Sequence, residues 1–105
     1  MRRGELWTAE HYAGKPRPVL IVQDDRFDAT SSITVCPLTS DPTEIPLLRV
    51  PLDPNDSNGL GARSSIMLDK VTTMPRSKLG ERIGRVSDAE MVALSRGLLV
   101  FLGFV

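Results

Sequence analysis

Arg17-Pro18-Val19-Leu20-Ile21-Val22-Gln23-Asp24-Asp25 is followed, after a polar turn, by Ile33-Thr34-Val35-Cys36-Pro37-Leu38-Thr39-Ser40. Both runs are rich in β-branched residues, which lose side-chain freedom in a helix and pack well on a pleated sheet, so both read as buried strands. Each carries a polar outer end, Arg17 on the first and Thr39-Ser40 on the second. If the runs pair as an antiparallel hairpin, the start of the first lies beside the end of the second. Arg17 and Thr39 then meet at one edge of the sheet, and this is the strongest functional signal in the chain.

Working outward, Gly4 to Ala9 alternates Leu6 and Thr8 with Glu5, Trp7 and Ala9 and predicts a first strand with Trp7 at least partly buried. Glu10 to Pro16 contains Gly14 and Pro16 and predicts a loop holding His11, Tyr12 and Lys15. His11 reads either as a solvated loop residue or as a groove residue. Asp24 to Ser32 is a polar turn region that Phe27 is expected to pin to the core. Ile45 to Leu52, with Pro46 and Pro51 on either side of Leu47-Leu48-Arg49-Val50, predicts an edge strand, because proline withholds a ladder donor. Asp53 to Gly59 is a turn cluster. Ser64 to Leu68 predicts a further strand that Val71 to Met74 extends, Pro75 to Leu79 a short helical turn, and Arg82 to Val86 a last short strand. Ser87-Asp88-Ala89-Glu90 is a capping box that opens a helix over Asp88 to Leu102, with Met91, Leu94 and Leu98 on one face. Short strands closed by one helix imply a mainly β, small barrel or strongly curved sheet, as a single domain over residues 1–105.

Composition sets the limits. The chain has 105 residues, 41% of them hydrophobic and 25% charged, which suits a globular protein and not a disordered one. Zero net charge argues against a nucleic-acid footprint over the whole surface, yet the distribution is uneven. Asp24 to Asp56 holds seven acids against Arg26 and Arg49, whereas Arg63 to Arg85 holds six bases against Asp69 and Glu81, so a local anionic partner fits. The longest apolar stretch, Gly97 to Val105, is about half the ~20 residues of a spanning helix, and the N-terminus lacks the apolar core of a signal peptide. These features predict a cytoplasmic protein with no membrane contact. Cys36 is the single cysteine and lies within a predicted strand, so it reads as a small buried hydrophobe. One histidine cannot furnish a metal cluster with it, and no cofactor is expected. Leu98 to Val105 offers more apolar surface than one helical face can hide, which a homodimer interface would absorb.

The motif inventory lacks a Gly-rich phosphate loop, a Gly-x-Ser-x-Gly turn and a Cys/His nucleophile pair. Metal-free RNA cleavage remains open, because the substrate supplies its own 2′-hydroxyl nucleophile. The protein must then help deprotonate it, stabilise the charged phosphorane and protonate the leaving oxygen. An arginine fork matches two phosphate oxygens, and a threonine hydroxyl beside it can donate to a third.

Met1-Arg2-Arg3-Gly4-Glu5-Leu6-Trp7, Arg17 to Asp25, Pro37-Leu38-Thr39-Ser40, Ser65-Ile66-Met67-Leu68-Asp69, Arg76-Ser77-Lys78-Leu79 and Ile83-Gly84-Arg85-Val86-Ser87 resemble, in order, the successive motifs of the MazF/PemK toxins of bacterial toxin–antitoxin systems. The resemblance implies an SH3-like barrel of the CcdB/PemK type with a C-terminal helix. It also implies a homodimer and a sequence-specific, metal-independent endoribonuclease that cuts single-stranded RNA to a 2′,3′-cyclic phosphate and a 5′-hydroxyl. A cognate antitoxin protein would block the RNA groove. Arg17 matches the family arginine assigned to acid–base work and phosphorane stabilisation, and Thr39 the threonine that contacts the scissile phosphate. His11, Lys15, Ser40, Asp69, Lys70 and Arg76 are the implied RNA-binding positions, with Asp69 equally readable as a turn residue. The chain departs from the pattern in a short Glu10 to Pro16 loop, in Met67 where some members carry an arginine, and in Lys70 and Thr72. The competing expectations are a gyrase-directed toxin of the CcdB kind and a non-catalytic nucleic-acid- or protein-binding barrel. The first disfavours itself, since the chain ends Gly103-Phe104-Val105 and not in a Trp-containing tripeptide.

Overall fold

In the computed structural model, which describes residues 1–10 and 14–105, the described residues form seven strands and one α-helix. The strands are β1 (Glu5–Ala9), β2 (Arg17–Ile21), β3 (Ser32–Thr39), β4 (Arg49–Leu52), β5 (Ser64–Met67), β6 (Thr72–Pro75) and β7 (Leu79–Arg85); α1 is Asp88–Phe101. Single 3₁₀ turns occupy Asp25–Phe27, Leu68–Lys70 and Arg76–Lys78. The sheet runs β4-β5-β3-β2-β1-β7, and β6 also pairs with β3. All these pairings are antiparallel.

The expected hairpin is present, with Val19 opposite Pro37, Leu20 opposite Cys36 and Ile21 opposite Val35. Its unbroken apolar runs follow from burial on both sides. Leu20, Val22, Cys36 and Leu38 join Leu6, Leu52, Ile66, Leu68, Val86 and Leu94 in the main core beneath α1. Val19, Ile21, Ile33 and Val35 face the other way and pack with Ala9, Leu79, Trp7 and Met74. Alternate residues of one strand thus serve two cores, the reading expected of a strand covered on both faces.

The barrel is left open, since no ladder joins β7 to β4 among the described residues. The Asn55–Gly59 turn covers that seam. Arg85 N donates to Ser57 O at 2.9 Å, and Asn58, fully buried, accepts from Asn55 N and Leu60 N and donates to Asp53 O. Glycine is needed on both sides of the contact. A Cβ on Gly84 would lie 2.4 Å from the Asn58 carbonyl carbon, and one on Gly59, at φ +67°, 2.0 Å from Ile83 O.

The α1 cap forms as expected, with Glu90 N donating to Ser87 Oγ and Ser87 N to Glu90 Oε1. Leu94 is buried, and Met91 and Leu98 pack on the main core. Leu99, Val100, Phe101, Leu102, Phe104 and Val105 stay exposed, the apolar surplus foreseen from the sequence. Cys36 is buried, and burial pushes its thiol up to about 12.

Three expectations need correction. Phe27 does not pin its loop to the core: it is 56% exposed and lies under the Arg26 guanidinium, 5.6 Å from ring centroid. The hydrogen bonds of Gln23 and Thr30 to Phe27 O order this loop instead. The edge strand begins only at Arg49, because Leu48 N and Arg49 N both donate to Ile45 O and close a turn through Leu47 at φ +71°. The last strand is longer than expected, as β1 draws Leu79 to Arg85 into its ladder through two register shifts.

Glu5 links β1 to β7. Its carboxylate accepts from Arg2 N at 2.7 Å, Trp7 Nε1 at 3.1 Å and Arg82 Nε at 2.7 Å. Burial alone pushes this carboxyl up, but the hydrogen bonds from Arg2, Trp7 and Arg82, with the Arg82 charge, outweigh it and hold the group below its ordinary value. A carboxyl that titrates lower in the folded state stabilises fully above its unfolded pKa and loses that contribution as pH falls through the folded value. Glu5→Gln will therefore destabilise the protein at neutral pH and flatten the loss of stability below about pH 4, measured by urea unfolding across pH. Gly84→Ala will cost about 2 kcal/mol or more by overpacking the seam, whereas Gly61→Ala, with nothing within 4 Å of its Cβ, will stay within about 0.5 kcal/mol.

Candidate functional site

Continuing the β2–β3 register two residues beyond Val19–Pro37 sets Arg17 across from Thr39. The ladder itself stops at Val19–Pro37. Pro18 withholds a backbone donor from β3, β2 stays paired to β1 through Thr8–Pro18 and Ala9–Arg17, and β3 stays paired to β5 through Leu38–Ile66 and Thr39–Ser65. The two strand ends bound an open groove of about 700 Å³. Arg17, Val19, Val35, Pro37 and Thr39 line it, with Thr72 to Pro75 of β6 and with Met67, Glu10 and Lys78.

Arg17 is exposed and, among the described residues, makes no ion pair. Thr39 Oγ1 accepts from Asp41 N at 3.1 Å, which leaves its hydroxyl proton available to donate. A guanidinium and a free hydroxyl donor over an apolar floor suit an anion with several oxygens. Glu10 is the one carboxylate lining the groove, held by Lys78 at 3.1 Å.

Beyond Thr39 lies a smaller pocket of about 280 Å³, lined by Ser40 to Pro46, Arg49, Pro51 and Arg63 to Ser65. Ser40 therefore opens onto this neighbour and not onto the groove. Asp41, at the rim, is kept below the usual carboxylate range by hydrogen bonds from the Thr43 hydroxyl and backbone N–H, aided by the Arg49 charge.

The remaining sequence candidates divide differently. Lys15 and Lys70 are exposed and line neither cavity. Arg76 is drawn into the fold, donating to Thr30 O and Asp28 O and lying 3.2 Å from Met1 Sδ. Asp69 is paired with Arg49 of β4, their side chains 23% and 13% exposed. His11 lies outside the described residues. The Arg49–Asp69 pair and the Glu10–Lys78 pair escaped the sequence reading, because each joins residues 20 or more positions apart that no local pattern connects. Among the described residues, no group of three or more His, Cys, Asp or Glu could hold a metal ion, and no helix is long and apolar enough to cross a membrane.

Residues 2–102 match the PemK-like, MazF-like toxins of type II toxin–antitoxin systems. The chain belongs to this family. A relative from Mycolicibacterium smegmatis, a probable endoribonuclease MazF, is 57% identical over 98% of this chain and 97% of its own length. Among solved structures, the Mycobacterium tuberculosis toxin MazF-mt6 superposes with a TM-score of 0.82 at 27% identity, covering 94% of this chain and 96% of that one. A mycobacterial endoribonuclease in complex with its cognate antitoxin superposes with a TM-score of 0.83 at 25% identity, covering 100% of this chain and 97% of that one. The expected MazF/PemK fold is thus the observed one, a mainly β SH3-like barrel with a C-terminal helix, here with an open seam.

Asp69 is committed to Arg49, so its loss should act first on stability. Asp69→Asn will leave a nearly buried guanidinium without its counter-charge and cost about 1–3 kcal/mol, read as a lower urea midpoint with an unchanged slope.

Proposed function

We propose that this MazF/PemK-family toxin is a sequence-specific, metal-independent endoribonuclease of single-stranded RNA, with Arg17 and Thr39 as its catalytic pair. The observation that supports this reading is that Arg17 and Thr39, at neighbouring ends of two paired strands, both line one groove. The 2′-hydroxyl oxygen attacks the adjacent phosphorus and the bond to the 5′-oxygen breaks. The proton lost from the 2′-hydroxyl is balanced by one gained at the leaving oxygen. A 2′,3′-cyclic phosphate and a 5′-hydroxyl remain. Arg17 holds the phosphorane oxygens, whose charge grows on the way to the transition state, and Thr39 donates to another of them. DNA lacks the 2′-hydroxyl and stays intact. The family resemblance assigns Arg17 acid–base work as well.

The 57% identity to an endoribonuclease MazF supports the activity, and the superposition on an antitoxin-bound endoribonuclease supports a cognate antitoxin as partner. The exposed run Leu99 to Val105 supports a homodimer, since burying it against a second copy removes the largest exposed apolar stretch from water. A cytoplasmic location suits a protein that meets RNA there. Ser40, facing the smaller pocket, is placed to meet the nucleotide beside the scissile phosphate; Lys15, Lys70 and His11 remain proposed RNA contacts from the family resemblance.

Incubation with a long single-stranded RNA in excess EDTA, followed by end-group mapping, tests the activity. Defined cuts ending in a cyclic phosphate are expected, and intact RNA from folded protein would overturn the reading. Arg17→Ala and Thr39→Ala will each lower cleavage by about 100-fold or more, with thermal unfolding nearly unchanged.

A further inference from the structure

Among the described residues, the groove is lined by two cations and one carboxylate: Arg17, Lys78 and Glu10. Their placement follows from strand order. Ala9 at the end of β1 pairs with Arg17 of β2 on one side and with Leu79 of β7 on the other. One residue further, Glu10 N donates to Lys78 O at 3.0 Å, and Lys78 Nζ reaches Glu10 Oε2 at 3.1 Å. Lys78 is thus anchored to Glu10 by both backbone and side chain, about two strand spacings, or roughly 10 Å, from the backbone of Arg17. Its four-carbon stem spans part of that distance, and the ammonium can swing through the groove mouth while the backbone bond stays fixed.

The pair is built to be exchanged. Its side chains are 51% and 66% exposed. An ion pair of this kind contributes about 0–1 kcal/mol, so surrendering it costs little. Lys78 has no second acceptor among the described hydrogen bonds, unlike Arg76 two residues earlier, whose guanidinium is tied to three partners. Glu10 has no such release: displaced from Lys78, it faces an incoming polyanion with its charge exposed.

We propose that Lys78 binds the backbone phosphate next to the one held by Arg17 and Thr39, and that Glu10 occupies Lys78 in the empty groove and opposes RNA until phosphate displaces it. The inference rests on the groove being the RNA site. Glu10 then weakens binding of any polyanion that cannot also engage Arg17 and Thr39, and so favours RNA laid in the productive direction. Lys78 is a binding residue of the groove, and Glu10 a positioning residue acting through it.

The test is equilibrium binding of a single-stranded RNA oligonucleotide made uncleavable by 2′-deoxy substitution at its cut site, titrated against salt. Lys78→Met keeps the aliphatic stem and removes the charge. It is expected to weaken binding several-fold and to reduce the slope of log K against log salt by about 0.7, the value of one phosphate contact on a single strand. In cleavage assays KM will rise more than kcat falls. Glu10→Gln will tighten binding in the wild-type background and have little effect in Lys78→Met. Unchanged affinity and slope in Lys78→Met overturns the phosphate contact. Equal tightening by Glu10→Gln in both backgrounds overturns the exchange and leaves simple repulsion. Because binding is read without cleavage, failure here is separable from failure of the nuclease reading, which wild-type protein and unmodified RNA report.

Discussion

The register of β2 against β3 is the constraint on which the rest of the molecule depends. Side chains alternate across a sheet, so a slip of one residue would exchange the two faces of one strand relative to the other. If β2 slipped, Leu20 would leave the core under α1 and Val19 the second cluster. The same slip would turn Arg17 away from the face that carries Thr39. Packing and the groove are therefore held by one set of pairings, and burial on both faces gives those pairings more resistance to slippage than a half-solvated sheet would have.

The groove arises where this order ends. Pro18 withholds a ladder donor, and each strand keeps a different neighbour, so the gap between them is enforced by hydrogen bonds elsewhere in the sheet. Polar side chains at such a gap lie beside solvent without being free to wander. Zero net charge overall is compatible with an anion site here, because several acids and bases are paired with each other at the surface while Arg17, among the described residues, is not.

Much of this was legible in the sequence where the signal was local or periodic. The β-branched runs gave the hairpin and its register, the prolines gave the edge strand, and Ser87 with Glu90 gave the start of α1. Phe27 was misread because an aromatic residue in a polar turn looks like an anchor; nothing local reveals that Arg26 covers it while the core is already filled. β7 was underestimated because Gly80, Gly84 and its alternating charges have low strand propensity, which pairing with β1 overrides. Asp69 and Arg76 match implied RNA-binding positions, yet ion pairing with Arg49 and carbonyl contacts from the Asp28 to Thr30 loop take them up. Long-range partners of this kind, Glu10 with Lys78 among them, leave no trace in spacing.

The sheet has edges at β4, β7 and β6, and edges of a sheet invite other chains to add strands. At β7 and β4 the edge is blunted by different devices. The outer side of β7 is occupied by the Asn55–Gly59 turn, whose Ser57 carbonyl takes the Arg85 amide. β4 exposes its side to solvent but contains Pro51, which interrupts the row of donors, and it spans only four residues. Such an edge is a poor template for cross-β stacking. A chain that leaves Leu99 to Val105 uncovered is thus guarded at β4 and β7 against fibre-like growth along those strands.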